Sequence, residues 1–231
     1  KGGFVGEHDR TTGEPLPDVD VSGRDHVRHA FGERIERYVE SRRGRSLEEV
    51  LDELEERLEE RLALYRSGTE WADTPVQGPF GPTTLGALLA IRVFDIWMHE
   101  QDIREALGRP GGLDSGAAAH AVAQVFAALP RIVAKTAAIE PGNAVVLDLT
   151  GPTTGRAGAR VEEQDGRATG IPLFTGGSDE LPDVVTTSLT MSTQVATRLA
   201  GGRRRPEDLH VVVHGDEGVA QRVLAAMTIT P

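Results

Sequence analysis

The chain has 231 residues, enough for one large domain or two small ones, and its 39% hydrophobic and 26% charged content is that of a soluble globular protein. A formal charge of −11 disfavours non-specific binding to nucleic acid or anionic membrane surfaces. The absence of cysteine excludes disulfides, thiolate metal ligands and a cysteine nucleophile; it fits a cytoplasmic protein, and any thiol chemistry must draw on a small-molecule thiol.

Residues 1–25 are rich in Gly, Pro, Asp and Thr and read as loop. Because the chain begins with Lys1 rather than Met, an upstream segment is expected. Residues 26–41 suggest a helix with a rough stripe of Val27, Phe31, Ile35 and Tyr38 or Val39. Ser46 and Glu49 have capping-box spacing, and Leu47, Leu51, Leu54, Leu58, Leu62 and Tyr65 then recur every three or four residues. This predicts an amphipathic bundle helix ending at Gly68; the apolar stripe is too short for a coiled coil. Residues 71–82, punctuated by Pro and Gly, read as loop. A third helix is predicted from Thr84 to Leu107, stopped by Gly108 and Pro110. Asp114 can cap an alanine-rich fourth helix running through Val133, with a kink at Pro130.

The composition changes at Asn143. Strands are predicted around Val145–Leu149, Ala157–Val161, Thr169–Phe174, Val184–Met191 and Leu209–His214, with helices at 193–200 and 217–227. The fold class is therefore α+β, with a helical domain over 1–141 and a smaller α+β domain over 142–231. No apolar run reaches the length of a membrane span, since Leu85–Met98 is interrupted by Arg92 and Asp95, and no secretory segment opens the chain. The clusters Arg42-Arg43-Gly44-Arg45 and Arg203-Arg204-Arg205 are short and read as solvated helix ends or loops.

The third helix carries the most informative residues. Asp95, His99 and Asp102 fall at i, i+4 and i+7, where an apolar helix is expected to present core residues. Buried ionisable groups need partners. An imidazole and a carboxylate one turn apart can share a divalent metal such as zinc, but two ligands on one helix need a third from elsewhere; an internal ion pair is the alternative. Asp102 could orient His99 or form a salt bridge to another helix. Glu100 points away, and Trp97 reads as core. His26 and His29 form a possible ligand pair on another helix, with His8 a further option. His120, His210 and His214 read as structural. Gly176-Gly177-Ser178 lacks the lysine and helix of a P-loop, and Ser188 and Ser192 lack a nucleophile-elbow setting.

The segment RVFDIWMHEQDIREALGRPGG (92–112) resembles the signature of mycothiol-dependent maleylpyruvate isomerase-like proteins. HVRHAFGERIERYVESRRGRS (26–46) and VVVHGDEGVAQRVLAAMTITP (211–231) are similar to further blocks of that family. The resemblance implies a DinB-like four-helix bundle followed by a small C-terminal α+β domain. It also implies a divalent metal, usually zinc, held by an acid-x3-His pair on the third helix and a histidine on the first. Asp95 and His99 match the pair, with aspartate in place of the more usual glutamate. The first-helix histidine would lie upstream of Lys1, and the ligand is not carried onto His26 or His29.

The implied chemistry is activation of mycothiol or a similar thiol for transfer onto a small electrophile, or for thiol-assisted cis–trans isomerisation of a maleylpyruvate-type compound. The resemblance further implies a catalytic arginine from the C-terminal domain, for which Arg203 is the candidate; the competing reading of Arg203 is a solvated loop arginine. The expected partners are a small thiol and a small electrophile, with no nucleic acid or membrane, in a monomer or homodimer. A non-catalytic metal- or ligand-binding protein on the same scaffold, and a purely structural Asp95–His99 pair, are the competing readings.

Overall fold

A computed structural model describes residues 9, 13–27, 29–68, 72–78, 81–176 and 184–230. The chain forms two compact units, Lys1–Glu70 and Trp71–Pro231. The boundary expected at 141/142 lies inside the second unit.

In the first unit, α1 spans Ala30–Glu40 and α2 spans Leu47–Ser67. The first helix starts later than predicted because His29 is its N-cap, accepting the Gly32 N–H at 3.0 Å. His26 instead lies 3.0 Å from Glu36, so neither histidine of the possible ligand pair is placed as one. His8 lies outside the described residues. The capping box at α2 forms: Glu49 N–H donates to Ser46 Oγ at 3.2 Å, and Ser46 N–H donates to the Glu49 carboxylate at 2.7 Å. No residue of α2 is buried, so its leucine stripe faces outward.

The first basic cluster is not simply solvated. Arg42 bridges Asp9 (2.6 Å) and Glu53 (2.5 Å), while Arg43 reaches Glu36 at 2.7 Å. Burial pushes the Glu36 carboxyl up, but hydrogen bonds from Arg43, His26 and Arg24 outweigh it and hold the group at about 2, below its ordinary 4.5. A depressed folded-state pKa stabilises the unit above the unfolded value, and that contribution drains away as pH falls from about 4.5 to about 2. Carbon-detected NMR titration of Glu36 is expected to show a midpoint near pH 2, with α1 losing protection over the same window. Glu36→Gln should flatten that acid dependence; an ordinary midpoint in the native chain would reject the network.

The second unit opens with a hairpin where loop was expected. Strands β1 (Pro75–Gly78) and β2 (Gly81–Thr84) pair antiparallel, pairing Val76 with Thr83. Thr84 then caps α3 (Leu85–Ala106) by accepting the Ala87 N–H at 3.3 Å. Helix α4 (Gly116–Arg131) is capped by Ser115 rather than Asp114; Ser115 Oγ accepts the Ala118 N–H at 3.1 Å. Pro130 lies inside α4, and the helix continues into a π turn at Ile132–Thr136. Contrary to expectation, Gly116–Thr136 is long and apolar enough to cross a membrane by length and composition. Its apolarity has a packing cause: Ala118, Ala121, Val125, Leu129, Ile132 and Val133 are buried in the core.

The sheet has the order β5-β4-β3-β6-β7, built from β3 (Asn143–Thr150), β4 (Gly155–Gln164), β5 (Arg167–Leu173), β6 (Val185–Ser192) and β7 (Val212–His214). All neighbours are antiparallel except β3 and β6, which run parallel with Leu147 opposite Leu189. Residues two apart share a sheet face, so Val145, Leu147 and Leu149 of β3 and Leu189 and Met191 of β6 enter the same core as α4. The predicted last strand is shorter than expected, beginning at Val212 rather than Leu209. Helices α5 (Thr193–Ala200) and α6 (Glu217–Ala225) complete an α+β chain. Ser192 is accounted for as the α5 N-cap, accepting the Val195 N–H at 3.2 Å.

Candidate functional site

Helix α3 buries Phe94, Trp97, Met98 and Gln101. Trp97 is 1% exposed and donates its indole N–H to the Gly112 carbonyl at 3.3 Å, which is the core role expected of it. The placement expected for the polar triad is corrected: Asp95, His99 and Asp102 do not face the core. The His99 side chain is 61% exposed and that of Asp95 is 36% exposed. The helix is apolar on nearly every side, with Ile91, Val93, Ile96 and Ile103 also exposed, so its pattern does not select a buried face.

On the outer face, His99 stands between two carboxylates. Its Nε2 is 3.6 Å from Asp95 Oδ1 and its Nδ1 is 3.5 Å from Asp102 Oδ2. Asp95 also takes an ion pair from Arg92 at 2.9 Å. Glu100 turns to Arg104 at 2.8 Å, as its position suggested. Asp102 is half-buried and receives two arginines. Arg198 donates to Oδ1 and Arg203 Nε donates to Oδ2 at 3.1 Å. Burial raises the Asp102 carboxyl, but hydrogen bonds from Arg203 and Arg198 prevail and hold it below the ordinary carboxylate range. Asp102 forms the salt bridge to another helix, and its Oδ2 stands 3.5 Å from His99 Nδ1.

Arg203 is brought to this cluster by the end of α5. Gly202 has φ +65, its N–H donates to the Leu199 carbonyl, and Arg203 N–H donates to the Arg198 carbonyl at 2.9 Å. These are the two bonds of a Schellman motif, and glycine is favoured there because a side chain is strained at positive φ. The motif turns the chain so that Arg198 and Arg203, five positions apart, converge on one carboxylate. Arg203 is therefore an ion-paired residue rather than a freely solvated loop arginine. Arg204 pairs with Glu105. Other histidines are structural or apart from the cluster: His120 Nε2 lies 2.9 Å from the Ala90 carbonyl, and His214 is in β7.

Two donors each about 2.0–2.1 Å from a tetrahedral zinc ion lie about 3.3 Å apart. The Asp95–His99 separation of 3.6 Å is close to this, and oxygen and imidazole nitrogen suit zinc and related divalent ions. Among the described residues no group of three His, Asp or Glu side chains is arranged to hold a metal. The fit is thus that of a donor pair, not of a whole coordination shell.

Residues 4–104 match the family model described as the mycothiol maleylpyruvate isomerase N-terminal domain. No curated protein and no solved structure matches the chain. The matched segment takes in α1, α2 and α3 as far as Arg104, and so includes Asp95, His99 and Asp102. It stops short of the two arginines that hold Asp102. Arg203 was singled out from the sequence but Arg198 was not; the available signal was a single charged residue beside Leu199 and Ala200 near the end of a short helix.

Proposed function

We propose that the protein is a metal-dependent enzyme that activates a mycothiol-like thiol in the cytoplasm. The thiol is transferred onto a small electrophile or serves cis–trans isomerisation of a maleylpyruvate-type compound. The observation that carries this reading is an exposed aspartate–histidine donor pair, 3.6 Å apart, inside the segment that matches the family. In this reading the segment belongs to a DinB-like helical bundle, Asp95 and His99 would hold a divalent ion such as zinc, and a third ligand would complete the site. The metal would supply acidity, favouring thiolate over thiol at neutral pH. Asp102 orients the His99 ring, and Arg203 offers its half-exposed guanidinium to an anionic substrate. For isomerisation, the thiolate sulfur bonds to one alkene carbon, the former double bond rotates, and expulsion of the thiolate restores it in the trans form.

The test combines metal analysis with turnover. About one divalent ion per chain is expected after gentle purification, together with thiol-dependent conversion of a maleyl-type acceptor followed by its absorbance. Metal without turnover across a panel of thiols and electrophiles would favour a binding protein; absence of metal would sink both.

A further inference from the structure

We propose that Arg198 is a positioning residue of the Asp95–His99 site, acting through Asp102; the proposal rests on the functional reading above. Its side chain is 5% exposed, although it carries a charge that is costly to bury unpaired. The cost is met by three acceptors, all on α3: Asp102, Glu105 and, at 3.1 Å, the carbonyl of Gln101. A guanidinium presents its donors in a rigid planar fork, so three fixed acceptors leave it little rotational freedom.

A staple between α3 and α5 would need only Glu105 and the Gln101 carbonyl. The third bond does something more. It holds one oxygen of Asp102, leaving the other to face Arg203 at 3.1 Å and His99 Nδ1 at 3.5 Å. Asp102 is thereby clamped by Arg198 on Oδ1 and by Arg203, whose Nε donates to Oδ2 at 3.1 Å and more weakly to Oδ1 at 3.4 Å. A carboxylate fixed beside Nδ1 favours the imidazole tautomer that carries its proton there, in competition with Asp95, whose Oδ1 lies 3.6 Å from Nε2. Arg198 touches neither His99 nor Asp95, so its influence on them runs through the carboxylate it clamps. The Schellman turn links the two arginines, because the Arg198 carbonyl accepts the Arg203 N–H.

The experiment reads the His99 tautomer in metal-free full-length protein, by long-range nitrogen–proton NMR of the imidazole at a pH well above the histidine range. In the native chain the Nδ1–H form should dominate. Arg198→Met should lower the Nδ1–H to Nε2–H ratio by about threefold or more. Asp102→Asn should do the same, and the double variant should add nothing further, because both act along one line. Glu105→Gln, which removes a staple contact only, should leave the ratio unchanged. Arg198→Lys is the second variant should Arg198→Met fail to fold; it keeps the charge but not the fork, and should shift the ratio in the same direction.

An unchanged ratio in a folded Arg198 variant overturns the proposal. Titration of the native chain with cobalt(II), read by its visible absorption, tests the metal reading separately. No uptake together with a tautomer shift would sink the metal site and leave the role of Arg198 standing. Uptake with an unchanged ratio would do the reverse.

Discussion

Replacing His99 with alanine is expected to abolish divalent-metal uptake while leaving the fold of the second unit intact. The side chain is 61% exposed, and its nearest charged neighbours are the carboxylates of Asp95 and Asp102, so its removal opens no core cavity. Loss of an outer-shell partner typically weakens a metal site by about 10–100-fold, and loss of a direct ligand should exceed that range. Asp95→Ala should act similarly, although Arg92 would then lose its partner at 2.9 Å. Asp95→Glu preserves the donor type and should retain uptake. Cobalt titration followed by its visible spectrum measures all three; native-like affinity in His99→Ala would remove Asp95 and His99 from any metal site.

The largest expected loss of stability is at Gly170. It lies in β5 where the backbone of α4 passes close by, and a Cβ built there would stand 2.1 Å from the Pro130 carbonyl oxygen and 2.7 Å from its carbon. Both contacts are with backbone, so no side chain can swing away. Gly170→Ala must push the end of α4 off the sheet, which should cost about 3 kcal/mol, the upper part of the usual range for overpacking. Urea denaturation followed by circular dichroism should show a lower midpoint with little change in slope. Gly116→Ala, at the start of α4, is the control: nothing lies within 4 Å of its Cβ, and the change should be neutral or stabilising by up to about 1 kcal/mol. Equal effects of the two substitutions would show that the close approach at Pro130 does not govern this packing.

The two sites differ in how readily the sequence discloses them. Gly170 sits in an ordinary strand pattern, and only the neighbouring helix makes it intolerant of a methyl group. The Asp95–His99 pair was visible from its spacing, but its surroundings were not. The hairpin at 75–84 was hidden because Pro75, Gly78, Gly81 and Pro82 are turn formers that override strand signals. The cap of α4 was misplaced by one residue because Asp114 and Ser115 both have capping side chains, and local sequence does not choose between them.

The course of α2 and α3, most of the sheet strands, the α+β class and the family resemblance around His99 are all legible along the chain. These depend on capping, periodicity and short motifs, which are local properties of consecutive residues. Which side of α3 is buried depends on its neighbours in the fold, because a helix with apolar residues all round has no preferred face until something packs on it. The fold also sets Asp102 against Arg198, 96 residues away, and against Arg203. Charge pairing over that separation follows from how α3 and α5 meet around a shared core, and no local rule specifies it.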